Sequence, residues 1–224
     1  FYNEKIIRMP SCYQCNDDKK EICNEPISRK EFNLPEKGFV FTCFCANKKI
    51  TPKEFDIWMR LLKETKGSVI WLYKSNQFSA RNLINEAEKR NVDSTRLIFA
   101  ENIPLNKHLA RQTLGDLGLD TFNYNGHTTT SDALWAGLPV LTKIGKSFAA
   151  RVSASILTSI GLPELITYNY KEYEEKALNL ARKPDELIRI KSKLAKLKKT
   201  SALYNSELFT KDLESNFKEL VKSI

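Results

Sequence analysis

No apolar run in the 224 residues approaches the roughly 18 needed to span a bilayer, so the chain does not read as a membrane protein. No G-x-G-x-x-G follows the first strand-like stretch and no G-x-x-x-x-G-K-[ST] occurs anywhere, which argues against a dinucleotide oxidoreductase and a P-loop NTPase. A D-x-D carboxylate pair to hold a divalent ion on a diphosphate is also absent, and so is any helical repeat of about 34 residues. Glycine and proline are scarce, eight of each, while 42% of residues are hydrophobic, which excludes collagen-like and disordered chains. The sequence starts at Phe1, so its start reads as a boundary within a longer chain, and a missing leader says little.

Charge and cysteine bound the partners. The 36 basic residues exceed the 27 acidic ones by nine, which suits an anionic partner. Residues 189 to 199, RIKSKLAKLKK, carry six of the cations, but Leu187, Ile190, Leu194 and Leu197 recur at helical spacing on the other side. The stretch reads as an amphipathic helix with a solvated face, with an anionic docking surface as the alternative. It has no interleaved aromatics, which disfavours nucleic acid. Cys12, Cys15 and Cys23 suggest a zinc or redox site, yet the second ligand pair is missing, and the only histidines, His108 and His127, lie far away in sequence. Reduced thiols in a cytoplasmic protein are the expectation.

From residue 38 strand-like and helix-like stretches alternate. GFVFTCFCA (38 to 46) leads into TPKEFDIWMRLLKET (51 to 65), which has Thr51 as an N-cap, Pro52 at the first helical position and Phe55, Trp58, Met59 and Leu62 on one face. Four further pairs are expected, at 67–74 and 78–90, 96–101 and 105–115, 117–122 and 128–137, and 138–144 and 147–161. Such a series predicts an α/β fold, a Rossmann-like parallel sheet with helices on both faces. Residues 170 to 224 read as helices, with Phe209, Leu213, Phe217 and Leu220 forming a stripe for core or inter-lobe packing. The expected organisation is a linker or trailing part of an upstream lobe (1–37), a nucleotide-binding lobe (38–205) and a C-terminal helix (206–224).

Ligands of open parallel sheets bind beyond the carboxyl ends of the strands. Three loops there carry chemistry: one with Lys48 and Lys49, one with His108 and Arg111, and NYNGHTTT with Gly126, His127, Thr128 and Thr129. A helix start offers free N–H groups and partial positive charge to a diphosphate, Gly126 admits close approach, threonines add donors and Lys49 adds a full charge. Capping competes as an explanation, since Thr129-x-x-Asp132 fits a capping box. His108 and Arg111 can also be an exposed helical pair, and Asp116 and Asp120 read as ordinary turn and edge residues. Without a carboxylate pair, Lys49 and helix amides would have to stabilise a leaving nucleoside diphosphate in place of a metal.

LGLDTFNYNGHTTTSDALWAGLPVLT followed by SFAARVSASILTSIGLPELI closely resembles the C-terminal catalytic lobe of the O-linked N-acetylglucosamine transferase and SPINDLY family. FVFTCFCANKKITPKEFDIWMRLLK, RLIFAENIPLNKHLAR and SALYNSELFTKDLE extend the resemblance from about 38 to 220. It implies the donor-binding lobe of a GT-B glycosyltransferase that transfers a sugar, with inversion, to Ser or Thr hydroxyls of proteins. It implies further that Lys49 is the catalytic lysine on the donor phosphates and that His127, Thr128 and Thr129 form the diphosphate-binding helix start. By the same resemblance Asp132 is the ribose-binding acid, His108 and Arg111 flank the base, the backbone of Ile103 bonds it, and Tyr124 approaches the sugar. No metal or other cofactor is implied.

The sequence departs from the family at two places. Ala46 stands where animal members have a glutamine near the phosphates, and Leu105 where they have a lysine near the ribose. UDP-GlcNAc is the first donor, with the GDP-fucose of the plant SPINDLY branch as the alternative. A non-catalytic module that binds nucleotide sugars is the reading from another class. The family's other lobe and its tetratricopeptide repeats have no counterpart in these residues. The expectation is therefore that this chain alone binds nucleotide weakly and transfers nothing.

Overall fold

In a computed structural model, which describes residues 3–222, β-branched and aromatic stretches form a parallel sheet and the amphipathic stretches cover it. The strands are β1 (Val40–Cys43), β2 (Val69–Tyr73), β3 (Leu97–Ala100), β4 (Leu117–Leu119), β5 (Val140–Lys143) and β6 (Ile166–Thr167). The helices are α1 (Pro52–Glu64), α2 (Gln77–Glu88), α3 (Leu105–Gln112), α4 (Thr128–Ala136), α5 (Val152–Ile160), α6 (Tyr170–Arg182), α7 (Pro184–Leu197) and α8 (Ser206–Lys222). The sheet order is β3-β2-β1-β4-β5-β6 with every pairing parallel, so the order reverses between β1 and β4. The two-residue β6 is a strand that the alternating pattern does not reveal.

Local chemistry explains the helix boundaries. Thr51 and Glu54 bond reciprocally around the start of α1, with Pro52 in the first turn. Asn76 and Asn169 cap α2 and α6 by accepting from Ser79 N and Glu172 N. Gly137 and Gly161, with φ of 92° and 85°, end α4 and α5 in the left-handed conformation that favours glycine. Several elements are shorter than the sequence pattern. Phe44, Cys45 and Ala46 leave the sheet to build a loop, and α5 starts only at Val152 because residues 147–151 form a turn.

Alternation along β1 and β2 separates two cores. Phe41, Cys43, Ile70 and Leu72 join Trp58, Leu62, Leu141 and Tyr173 in the larger one. Val40, Val69 and Trp71 point to the other face, where Phe32 and Leu34 from the N-terminal segment cover them. Cys12 also belongs to the larger core, and all five cysteines are free thiols. In α7 Leu187, Ile190 and Leu194 are buried. Of its cations, Lys191 bonds the Gly115 carbonyl and Lys193 pairs with Glu164, while Lys198, just beyond, bonds the Trp135 carbonyl, so these three are tied to the chain itself. The α8 stripe is not core: no residue of α8 is buried, and Phe217 is 53% exposed. Residues 223 and 224 of the expected C-terminal helix lie outside the described residues. No helix among the described residues is long and apolar enough to cross a membrane.

Candidate functional site

The reversal of strand order opens a crevice at the carboxyl ends of β1 and β4. The loop after β1 crosses it. Lys49 ends a short 3-10 turn (Asn47–Lys49) and is half-buried. Its Nζ donates to the Asn125 carbonyl at 2.9 Å and lies 4.1 Å from the centre of the Tyr124 ring. Tyr124 in turn stacks on His127, with ring centres 5.0 Å apart and planes 20° from parallel. Lys49, Tyr124 and His127 therefore form one cluster.

Helix α4 begins at Thr128 with His127 as its N-cap, and among the described residues no side chain caps its first turn. This corrects the capping reading of Thr129 and Asp132: Thr129 is already inside the helix, where it cannot play the N-cap part. The three threonines divide by direction. Thr130 is buried and bonds the Ser153 hydroxyl at 2.8 Å, while Thr128 is exposed and Thr129 half-buried at the helix mouth. Uncapped amides, two accessible hydroxyls and a nearby ammonium form an anion-attracting end.

Gly126 has a packing reason of its own. A Cβ there would stand 2.5 Å from Thr130 Oγ1 and 3.2 Å from Thr130 N. Its amide donates to Asp120 Oδ1 at 2.6 Å. Asp120 also accepts from Thr121 N at 2.9 Å and from the Thr142 hydroxyl at 2.6 Å, so one buried carboxylate shapes the whole 121–126 loop. Burial raises its pKa to about 6 against the hydrogen bonds that favour the ion. Asp120 is more than the edge residue its position after a strand suggests.

His108 and Arg111 are not an exposed helical pair. Arg111 is 2% exposed, with its guanidinium 5.3 Å from the Phe44 ring centre and 5.8 Å from that of Trp71. It donates to the Glu101 carbonyl at 2.8 Å and to His108 Nδ1 at 3.0 Å. A donor on Nδ1 puts the proton of the neutral ring on Nε2. Burial, then Arg111, lowers the His108 pKa to about 4, and burial lowers that of Arg111 to about 10. Ile103 lies half-buried in the connection that leads into α3. Phe44 touches His108 and Arg111, and the next residue, Cys45, lies against Gly126, so the β1 loop links both halves of the site.

Two contributors had no signal in the sequence. Tyr13 places its hydroxyl 2.7 Å from His127 Nδ1, and Lys20 places Nζ 2.5 Å from Asp132 Oδ1. Burial lowers the His127 pKa; the Ala149 backbone opposes that and Lys49 adds to it. Both contacts come from a stretch without period, which offers no pattern to read.

The comparisons with known proteins agree with the fold. The model of glycosyl transferase family 41 matches residues 14–213. A probable UDP-N-acetylglucosamine–peptide N-acetylglucosaminyltransferase of Arabidopsis thaliana, SEC, is 32% identical over 96% of this chain and 23% of its own length. The SPINDLY relative of Hordeum vulgare, which carries the same descriptive name, is 30% identical over 97% of this chain and 23% of its own. Among solved structures, an O-GlcNAc transferase of Thermobaculum terrenum superposes with a TM-score of 0.85 at 28% identity, over 96% of this chain and 41% of that one. The glycosyltransferase WaaG shares the fold, with a TM-score of 0.63 at 16% identity. The chain thus spans about a quarter of the curated relatives' length. With the family model matched across nearly all of it, this chain belongs to glycosyl transferase family 41.

Proposed function

We propose that this chain is the donor-binding lobe of a protein O-glycosyltransferase, holding a nucleotide sugar for transfer to Ser or Thr hydroxyls. The observation that carries the reading is the cluster of Lys49, Tyr124 and His127 at the uncapped start of α4, beside the point where the strand order reverses. In the transfer the acceptor hydroxyl gives up its proton to a base or to solvent and its oxygen bonds to the anomeric carbon as the bond from that carbon to the diphosphate oxygen breaks. Negative charge then grows on the leaving diphosphate, where the Lys49 ammonium and the α4 amides meet it. No metal is part of this reading. Arg111 and His108 sit at the base end and Asp132 at the ribose.

UDP-GlcNAc is the first donor, in keeping with the names of the relatives. GDP-fucose is the second reading, favoured by Leu105, an exposed apolar residue at the start of α3 where the family resemblance places a lysine near the ribose. Titration of the chain with UDP, GDP and a short oligonucleotide, repeated with Lys49→Ala and Thr129→Ala, tests both. UDP binding that each substitution weakens is the expected result. Failure of both nucleotides to bind, or indifference to the substitutions, would overturn the site. Glycosylation of a protein by this chain alone would refute the companion proposal that transfer needs the rest of the longer relatives' length.

A further inference from the structure

Lys20 is fixed to α4 at two points. Its carbonyl accepts the indole N–H of Trp135 at 3.0 Å, and its ammonium lies 2.5 Å from Asp132 Oδ1. Trp135 and Asp132 stand three positions apart on the same helix and thus share a face. The indole is itself held, by the Tyr204 ring at 4.9 Å, and Tyr204 donates to the Ser131 carbonyl at 2.7 Å. The ion pair is largely shielded from water, with side-chain exposures of 12% and 11%. Nearby, Ser206 donates to Asp18 at 3.1 Å, so the strand of chain that carries Lys20 is tied to the start of α8 as well.

This arrangement leaves the carboxylate half used. Among the described residues Lys20 bonds Oδ1, and Oδ2 of Asp132 takes no hydrogen bond. A carboxylate that must accept from a ribose hydroxyl has to be correctly rotated and not consumed by other donors. A single lysine on one oxygen meets both needs: it fixes the rotamer, and it leaves the second oxygen to a ligand. A floppy lysine would not, but the Trp135 bond sets where this one starts.

We infer that Lys20 is a positioning residue for nucleotide recognition: it holds Asp132 oriented so that Oδ2 accepts from the ribose. The inference rests on the reading of Asp132 as the ribose acid. It makes the 11–23 stretch part of the donor site and not a spacer that happens to lie against it. Lys20 acts through Asp132, and the pair stays closed when nucleotide binds.

The test compares UDP with 2′-deoxy-UDP and 3′-deoxy-UDP by titration of the 224-residue chain. Wild type is expected to favour UDP over at least one deoxy analogue by about tenfold, the worth of one hydrogen bond to a charged group. Asp132→Asn should abolish that preference. Lys20→Met should abolish it too, while Lys20→Arg restores most of it, an outcome that a merely structural contact would not give. If Asp132→Asn removes the preference and Lys20→Met leaves it intact, Lys20 has no such role although the ribose reading stands. If neither wild type nor Asp132→Asn distinguishes the analogues, the ribose reading itself falls and takes this inference with it. Tighter UDP binding by Lys20→Met would make Lys20 a competitor of the ribose and overturn the inference as well. Should Lys20→Met fail to fold, lysine acetylation of the wild-type chain decides: Lys20 stays protected with saturating UDP if the pair is kept, whereas increased labelling would show that the pair breaks and refute the inference.

Discussion

The hydroxyl of Tyr13 lies 2.7 Å from Nδ1 of His127, 114 positions away, and the two rings meet edge to face at 5.9 Å. His127 is thereby held from two sides, because Tyr124 stacks on its face. A ring so fixed presents a set direction to whatever approaches the start of α4. Tyr13→Phe keeps the ring packing and removes the hydrogen bond, so we expect UDP affinity to fall roughly three- to tenfold, the worth of one neutral hydrogen bond. Calorimetric titration measures it, and unchanged affinity would show that the bond does not serve the ligand.

At Gly126 the expectation concerns stability first. The Cβ of Gly126→Ala would meet Thr130 Oγ1 at 2.5 Å and the Thr130 amide at 3.2 Å, and Thr130 is anchored to Ser153. Relief requires the helix start to shift, at a cost of about 1–3 kcal/mol. A chain of this size should melt lower by roughly 2–4 °C for each kcal/mol. Adding Thr130→Ala removes the nearer obstacle and should recover part of the loss, whereas strictly additive effects would show that the clash is not the cause.

Arg111 belongs to the core as much as to the site. Arg111→Met removes the donor from the Glu101 carbonyl and from His108 Nδ1 while keeping much of the bulk between Phe44 and Trp71. The stranded acceptors set the cost, about 1–3 kcal/mol. Thermal melts should show the loss with or without nucleotide. If stability holds and only UDP binding suffers, Arg111 is a ligand contact without a structural part.

What the sequence made legible is local. Thr51, Pro52 and Glu54 announce α1 within a few residues, and the strand-helix alternation announces the sheet, because each signal is carried by neighbours. GHTTT does lead into a helix, but the first turn of that helix could not be placed from spacing. Thr129 would cap only if the helix began later than it does. Asp132 illustrates the larger limit. Its partner is 112 positions away, in a stretch whose composition shows nothing but mixed charge. Asp120 looks like any acid after a strand until Gly126, Thr121 and Thr142 converge on it. Such roles depend on which segments meet, and one sequence carries no record of that.

His108 and Asp120 should pull acid stability in opposite directions. His108 titrates at about 4 in the fold against an ordinary value of 6.5, because burial and then Arg111 disfavour its charged form. As pH falls from 6.5 toward 4 the unfolded chain binds the proton more readily, so stability present above 6.5 is lost, up to about 3 kcal/mol. For Asp120 the sign reverses. Desolvation raises it to about 6 from an ordinary 3.8, so the folded chain binds the proton more readily between those values. Its contribution is fully present below 3.8 and is lost as pH rises through 6, again by up to about 3 kcal/mol. Urea unfolding of wild type, His108→Gln and Asp120→Asn at about pH 7 and about pH 4.5 separates the two, since the change with pH matters and not the absolute stability. His108→Gln should lose less stability than wild type on acidification, and Asp120→Asn should lose more. If both variants follow the wild-type slope, neither group is buried as the fold places it.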